Sequence, residues 1–344
     1  MNHVAIDLGS KESQVCMRAP DGTVVLEKKH PTRRLGELLT SWPQSRVVVE
    51  TSSEAFAIAD AARAAGHEVR VVRSTLSRQL GVGERGIKSD LRDARKLSEV
   101  STRIDLASVH IPSAEARALR SRIRSRDILV TTRTALVNHV RGWLRTHVIT
   151  LTTKGTPATF PARVRATVAS RELELPSYIE HSLSTIDVLN QQILAATKEL
   201  AAIAKAHDVC RRLMTVPGVG PITSLAFVAA IDDVSRFSNA HRVSSYLGLT
   251  PGEDSSGERE RRTGITKAGA SSVRRLLIQA AWGAYQRAKH DPMVAWMKRI
   301  ADRRGKFIAI VALARKLSAI LFALWRDQTT YRSARAAQSV PMPS

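Results

Sequence analysis

The strand-forming segments of this chain are confined to its first 73 residues, and the regular structure after them is helical in pattern. Short runs rich in β-branched residues alternate with helical patterns, in the order three strands, helix, strand, helix, strand, helix. The strand runs are HVAIDLG, SQVCMRA, TVVLEKK, SRVVVET and HEVRVVR, and a PDG turn joins the second run to the third. This order predicts a mixed sheet with helices packed on its faces.

A mixed sheet of this kind predicts an α/β layer fold of RNase H type for residues 1–108. The last helix of this domain, KSDLRDARKLSEVSTR, follows a glycine-rich stretch. Residues 109–208 are then predicted to form a segment of long helices. The stretch from Ser113 to about His147 has no glycine or proline before Gly142 and carries arginines at helical spacing.

A second long helix is predicted from about Ser177 to His207, after a break rich in glycine and proline. Two long helices around such a break predict an antiparallel pair or a coiled-coil arm. Dimerisation and nucleic-acid binding are both compatible with this segment, and the sequence does not choose between them.

Residues 209–335 are predicted to form an all-helical unit, followed by a disordered tail at 336–344. The segment VPGVGPITS has the Gly-x-Gly spacing of a helix-hairpin-helix element, whose backbone amides can meet a phosphate. A glycine turn that packs two helices closely is an equally good interpretation. The apolar run FIAIVALARKLSAILFALW is interrupted by Arg315 and Lys316, and this predicts a buried amphipathic helix rather than a membrane span.

The charge of the chain indicates a polyanionic partner. Lysine and arginine number 53 against 31 aspartate and glutamate, a formal net charge of +22, and about half of this excess lies between Pro251 and Arg335. Nucleic acid is the usual partner of such a protein. Cys16 and Cys210 are too few and too far apart for a disulfide framework or a cysteine metal motif. The N-terminus MNHVAIDLGS lacks the features of a signal peptide, so we expect a cytoplasmic protein without a membrane partner.

Four carboxylates occupy positions that an RNase H strand order would bring together. Asp7 ends the first strand pattern, Glu50 ends the fourth, and Asp90 and Asp93 lie on one face at the start of a helix. Four such charges repel one another unless cations are present. Mg²⁺ is a hard ion that takes oxygen ligands from a few carboxylates and from substrate phosphate, and two such ions would flank a scissile phosphate.

Each of these acids also has a purely structural interpretation. Asp7 before Gly9 suits a turn, Glu50 suits an exposed strand end, and Asp90 and Asp93 suit helix capping and first-turn electrostatics. Their joint placement favours the metal site. Three basic residues flank the helical pair and suit either phosphate contacts or surface ion pairs: Lys88, Arg92 and Arg95.

A polar loop, TPGEDSSGERERR, separates apolar segments between Thr250 and Arg262. Its Ser-Ser-Gly centre is common in solvated loops and does not indicate a site by itself. The segment GITKAGASSVRRLL begins a basic helix shortly afterwards. This helix offers Lys267, Arg274 and Arg275 to nucleic-acid phosphates, although basic residues exposed to solvent are an equally good interpretation.

The segments AIDLGSKE, VVVETSS and IKSDLRDARKLSE, followed by VPGVGPITS, LGLTPGEDSSG and GITKAGASSVRRLL, resemble the DEDD transposases of the insertion sequence 110 family. These are bridge-RNA-guided recombinases related to the Piv-type DNA invertases. The resemblance covers the chain from about Val4 to Leu324, with the motifs in the family's order. The combination of SDLRDAR with the later SG and ITKAG motifs is specific to the family.

The resemblance implies a RuvC-like catalytic domain, a coiled-coil segment and a C-terminal transposase domain. It implies that the catalytic DEDD carboxylates, which also hold Mg²⁺, are Asp7, Glu50, Asp90 and Asp93. The family's nucleophilic serine directly precedes a glycine, which makes it Ser256 here, with Ser255 as the adjacent alternative. Glu258 departs from the family pattern, which often has a small residue at that position.

The family's chemistry is attack of the serine hydroxyl on a DNA phosphate, which forms a phosphoserine and frees a 3′ hydroxyl. Bound Mg²⁺ is a better activator for Ser256 than His241 or His290, the histidines nearest in sequence. The resemblance also implies that a structured bridge RNA pairs with donor and target DNA. The expected partners are therefore double-stranded DNA, this RNA and further copies of the chain in a dimer or tetramer.

Two other functions compete with this one. A RuvC-like, metal-dependent junction nuclease, in which water attacks the phosphate, explains the carboxylates and the charge but leaves the C-terminal domain without a role. The other is a catalytically inactive nucleic-acid-binding protein derived from such a transposase. The presence of all four carboxylates and the serine counts against it.

Overall fold

The computed structural model describes residues 1–79, 90–151, 154–253 and 262–332. The chain divides into two compact units, Met1–Pro112 and Ser113–Ser344. The first boundary lies close to the one predicted at residue 108. The predicted second and third domains, in contrast, belong to one unit.

The first unit contains a five-stranded mixed sheet, as predicted. Its strands and helices are β1 Asn2–Asp7, β2 Glu12–Arg18, β3 Val24–Pro31, α1 Leu35–Thr40, β4 Ser45–Glu50, α2 Ala55–Ala64, β5 Glu68–Val72, α3 Ser74–Gln79 and α4 Asp90–Arg103. The strand order is β3-β2-β1-β4-β5, in which β1, β2 and β3 are antiparallel neighbours while β4 runs parallel to both β1 and β5. This topology fits an RNase H-like domain.

The two faces of the sheet are covered by different helices, because alternate residues of a strand point to opposite faces. Val4 and Ile6 of β1 are buried in a core that includes Leu35 of α1. Ala5, between them, is buried in a second core with Leu97 of α4. The helix α4 therefore covers the face to which the odd-numbered residues of β1 point.

The second unit is mostly helical. Its elements are α5 Ala114–Thr146, α6 Phe160–Ala169, α7 Ser177–Ala206, α8 Asp208–Leu213, α9 Pro221–Ile231, α10 Ala240–Tyr246, β6 Pro251–Glu253, β7 Arg262–Ile265, α11 Ser271–Arg287, α12 Pro292–Arg304 and α13 Lys306–Arg326. The antiparallel strands β6 and β7 correct the prediction of an all-helical unit. They are too short to give an alternating pattern, and their sequence is that of a polar loop.

The long helices α5 and α7 form the predicted antiparallel pair. Ser113 caps α5 by accepting a hydrogen bond from the amide of Ala116, so the helix begins where the sequence predicted it. Arginines of α5 bind polar side chains of α7 in reverse order along the two helices. These pairs are Arg122 with Glu199, Arg126 with Thr197 and Arg133 with Asn190.

The paired helices are not a separate domain, because their ends enter the core of the second unit. Leu119 and Ile123 of α5 and Leu200 of α7 are at most 6% exposed and share one hydrophobic cluster with α9, α11 and α13. This shared core joins the long helices to the later helices in one compact unit, although the sequence predicted a domain boundary at residue 208. The sequence pattern shows that a helix is long, but it does not show where another element packs onto it.

The helix α13 is long and apolar enough to cross a membrane by length and composition, and half of its most apolar window is buried within the unit. Leu313, Leu317 and Leu321 are fully buried, at the four-residue spacing of one helix face. This confirms the prediction of a buried helix.

Candidate functional site

Two of the predicted carboxylates end neighbouring strands. The parallel register of β1 and β4 pairs Ile6 with Val49, so the next residues, Asp7 and Glu50, stand side by side at the same edge of the sheet. By alternation, both side chains point to the face that α4 covers. Both residues are half-buried.

The helix α4 runs antiparallel to β1. Ser101, near its end, hydrogen-bonds through its hydroxyl to Nδ1 of His3 at 2.8 Å, near the start of the strand. Eight helical residues back to Asp93 rise about 12 Å, and four strand residues on to Asp7 span about 13 Å, so Asp93 is expected level with Asp7. Burial, with a smaller contribution from the charge of Arg46, lowers the pKa of His3, which favours its neutral ring.

Asp90 lies at the same end of the sheet. It lines a polar cavity of about 290 Å³ together with Gln14, the residue that pairs with Asp7 across β1 and β2. Lys11 and Lys29 are the cations of this cavity. Sequence reasoning did not select these two lysines, because their place beside Asp90 depends on the tertiary structure. The register of β2 on β3 pairs Gln14 with Lys29, and Lys11 directly precedes β2.

The turn that follows Asp7 is held tightly. The Gly9 carbonyl accepts a hydrogen bond from the Thr32 hydroxyl at 2.7 Å. Because Thr32 donates there, the hydroxyl of Ser13, 2.7 Å away and buried, donates to Thr32. A Cβ at Gly9 would lie 2.3 Å from the Glu12 carbonyl oxygen. A larger residue would not fit at Gly9 without a shift of this backbone.

The donor chemistry at this edge fits Mg²⁺, since carboxylate oxygens are the ligands that this ion prefers. Within the described ranges, however, no three His, Cys, Asp or Glu side chains are grouped closely enough to hold a metal ion. Strand register and helix direction thus bring the four acids to one end of the first unit without gathering them into a complete ligand set.

The basic residues around Asp90 and Asp93 have different surroundings. Arg95 binds Glu27 of β3 through two hydrogen bonds of 2.5 Å, which raise the pKa of its guanidinium. The ion-pair interpretation therefore applies to Arg95. Arg92 is exposed. Lys88 lies outside the described residues.

The predicted nucleophile, Ser256, and its alternative, Ser255, also lie outside the described residues, but both ends of their loop are described. β6 and β7 form an antiparallel hairpin in which Glu253 pairs with Arg262. The residues between these two, Asp254 to Arg261, therefore connect a paired stem.

The basic residues beyond the hairpin differ in their surroundings. Arg274 is 9% exposed and donates from Nη1 to the carbonyls of Leu247 and Ala268, at 3.0 Å each. Arg275 binds the buried carboxylate of Asp127 at 2.6 Å. Both guanidinium groups therefore have structural partners inside the unit. Lys267 is exposed, as a phosphate contact requires.

The Gly-x-Gly segment is a close-packed turn between α8 and α9. Gly218 has a φ of +87°, and a Cβ there would lie 2.2 Å from the carbonyl oxygen of Ala280 in α11. Gly220 precedes α9, and a Cβ at this position would have no neighbouring atom within 4 Å. Gly218 thus supports the packing interpretation of this segment.

Comparison with known protein families gives two matches that follow each other along the chain. The DEDD_Tnp_IS110 transposase family matches residues 4–149, and the transposase IS116/IS110/IS902 family matches residues 210–295. The first match includes all four predicted carboxylates. The second includes the hairpin and the serine loop.

Individual relatives are similar over much of the chain. The transposase for insertion sequence element IS1111A of Coxiella burnetii is 34% identical over 251 residues, which cover 71% of this chain and 68% of the relative. A probable family 20 transposase of Pseudomonas aeruginosa is 29% identical over 96% of this chain and 99% of its own length. The transposase for insertion sequence element IS1328 of Yersinia enterocolitica is 25% identical over 95% and 98%. The chain therefore belongs to the IS110/IS116 family of insertion-sequence transposases.

Proposed function

We propose that this transposase cuts and rejoins DNA strands through a covalent phosphoserine at Ser256, assisted by Mg²⁺ at Asp7, Glu50, Asp90 and Asp93. The observation that carries the proposal is the placement of these acids. Strand register sets the first two side by side, and the direction of α4 brings the second two to the same end of the sheet. The hairpin stem supports the serine's role, because it fixes the two ends of a polar loop.

In the proposed step, the Ser256 hydroxyl oxygen forms a bond to the phosphorus of a DNA phosphodiester, and the bond from phosphorus to the 3′ oxygen breaks. One strand end becomes a free 3′ hydroxyl, and the other stays attached to the protein through its 5′ phosphate. The proton lost by the serine balances the proton gained by the leaving oxygen. Bound Mg²⁺ would supply charge stabilisation at the phosphate.

Rejoining uses the same phosphorus. The 3′ hydroxyl of a partner strand attacks the phosphoserine, a new phosphodiester forms and the serine is released. Every broken phosphoester bond is replaced by another, so strand exchange needs no external energy source. Lys11 and Lys29, which line the cavity beside Asp90, are positioned to bind phosphates of the DNA that reaches the carboxylates.

The proposed partners are donor and target double-stranded DNA, a structured bridge RNA that selects both by base pairing, and further copies of the chain in a dimer or tetramer. The net charge of +22 supports a large phosphate-binding surface. Lys88, Arg92 and Lys267 are the remaining proposed phosphate contacts.

The test is a search for protein covalently attached to DNA. Purified protein, RNA transcribed from the DNA flanking its gene, Mg²⁺ and end-labelled DNA carrying the element junction are combined and then denatured. We expect labelled adduct with the wild type and with Ser255→Ala, the matched control in the same loop. Ser256→Ala and Asp7→Asn, and removal of Mg²⁺ by chelation, should each reduce the adduct about a thousandfold or more.

Cleavage without any adduct, unaffected by either serine change, would contradict the phosphoserine. It would leave a RuvC-like metal-dependent nuclease in which water attacks. An adduct lost in Ser255→Ala and kept in Ser256→Ala would assign the nucleophile to the neighbouring serine.

A further inference from the structure

A groove of about 1000 Å³ lies in the second unit beside the hairpin. The hairpin contributes Pro251, Thr263 and Ile265 to its wall, and most of the other lining residues come from α10, α12 and α13. Its floor is apolar, with Leu249, Trp296 and Val311 among the lining residues. The groove is large enough for a ligand of nucleotide size or more.

The rim of the groove exposes two large apolar side chains. Phe307 and Ile308, in the first turn of α13, are 80% and 52% exposed. The tryptophans of this unit are less exposed: Trp282, Trp296 and Trp325 are partly buried and pack against the core. Phe307 meets Trp282 edge to face, with ring centroids 6.3 Å apart. This contact fixes the Phe307 ring from one side and leaves most of its surface open to solvent.

The described residues that line the groove include cations but no acid. The cations are Arg304, Arg315 and Lys316, and His241 lies with them. Lys316 is held over the Trp296 ring, 4.3 Å from its centroid. Within the described part of the chain, neither Arg304 nor Arg315 forms an ion pair. Their charges are therefore available to an anion at the edge of an apolar surface.

We propose that this groove binds an unpaired nucleotide of the substrate nucleic acid, with its base against Phe307 and its phosphate on Arg304 or Arg315. An aromatic face beside unpaired guanidinium groups complements a nucleotide, which is a flat apolar base joined to an anion. A second copy of the chain fits less well, because a protein of net charge +22 would bring further positive charge to a cationic groove. An acidic amphipathic peptide is the remaining alternative ligand for this groove.

The groove lies beside the hairpin of the proposed serine loop, and this location suggests a role for the bound nucleotide. β7, which forms its wall, is also the strand that follows the loop of the proposed nucleophile. Exchange of strands between duplexes requires that bases near the cut leave one partner before they pair with another. A site for an unpaired base beside the hairpin would hold that intermediate. This inference rests on the proposed function for its substrate, but it concerns binding alone.

The test measures binding of the full chain to two DNA duplexes that differ only in one unpaired 2-aminopurine nucleotide. Fluorescence anisotropy gives the affinities, and the fluorescence of 2-aminopurine reports stacking of the base. We expect about tenfold tighter binding of the duplex with the unpaired base, together with quenching. Phe307→Ala should abolish both effects and leave the affinity for the fully paired duplex within about twofold. Phe307→Trp should retain both, since it preserves an aromatic face.

The matched control is Tyr178→Ala. Tyr178 is an aromatic residue of α7 that is 55% exposed and does not line the groove, and its removal should change neither readout. Ser256→Ala should keep the preference for the unpaired base, so the groove is tested separately from the covalent chemistry. An equal preference in wild type and Phe307→Ala would overturn the proposal. The proposal would also be overturned if Phe307→Ala lost self-association, seen by sedimentation, without any change in DNA binding. It would be overturned too if Phe307→Ala weakened binding of an acidic peptide and left DNA binding unchanged.

Discussion

Arg274 and Arg275, which lie near the proposed catalytic loop in sequence, both bind groups of the second unit itself. Sequence pattern places both on a basic helix, but it does not show that Asp127, 148 positions earlier, supplies a buried carboxylate to one of them. That carboxylate is 3% exposed and would be costly to leave unpaired. The pair therefore joins α11 to α5.

We expect Arg275→Ala to destabilise the second unit by about 2 kcal/mol, because it leaves the buried charge of Asp127 without its partner. Arg275 is itself partly exposed, so the cost is smaller than for a fully buried pair. Urea unfolding followed by circular dichroism measures the change. Asp127→Asn in the Arg275→Ala background should recover part of the lost stability.

Lys267→Ala is the control for this prediction, because Lys267 is exposed and its removal should lower DNA affinity without changing the unfolding free energy. The structural role of Arg275 would be refuted by the reverse result, a loss of DNA affinity at unchanged stability.

The acids of the first unit were easier to predict from the sequence. Asp7 and Glu50 follow short β-branched runs, and Asp90 and Asp93 precede an apolar helical repeat, so each position follows from local pattern. The positions of Lys11 and Lys29 beside Asp90 do not follow from local pattern, because they depend on how the strands pair. Local patterns indicate where an element ends, but non-local pairing decides which side chains share a cavity.

At the scale of elements, the five strands of the sheet were predictable because most are short runs rich in β-branched residues, and the two long helices because each is a long stretch with few helix-breaking residues. The hairpin was missed because its two strands are too short to carry a sequence pattern. β6 has three residues and β7 has four, and two of those seven are glycine, so pairing rather than propensity defines them.

The turn between α8 and α9 gives a matched pair of substitutions. Gly218→Ala places a Cβ against the backbone of α11 at a positive φ, and we expect a loss of about 3 kcal/mol or more. Gly220→Ala meets no neighbour and should cost less than about 1 kcal/mol. Thermal and urea unfolding of the two variants are compared with the wild type. Equal stability of the two would contradict the close packing of this turn.

At the scale of the whole molecule, the two units predict how the chain can be divided. Residues 113–344 keep the core that α5 and α7 share with the later helices, whereas residues 209–344 lose Leu119, Ile123 and Leu200 from it. We expect the longer fragment to unfold cooperatively and the shorter one to lack a cooperative transition, because it exposes the apolar surface that these residues cover. Calorimetry of the two fragments decides this.

A cooperative transition in residues 209–344 would instead support a separate third domain. The sequence alone favoured that division, since the break between the long helices and the rest is marked by composition while the shared core is not.

The paired stem of β6 and β7 has a consequence for how members of the family diverge. Because Glu253 and Arg262 lie opposite each other, the distance between the two ends of the intervening segment is set by strand spacing and not by its length or composition. A segment of another length or composition would therefore attach to the same two anchor points in this chain. Chimaeras that exchange this segment between distant members should keep a native fold, so new target chemistry can be acquired there without rebuilding the scaffold.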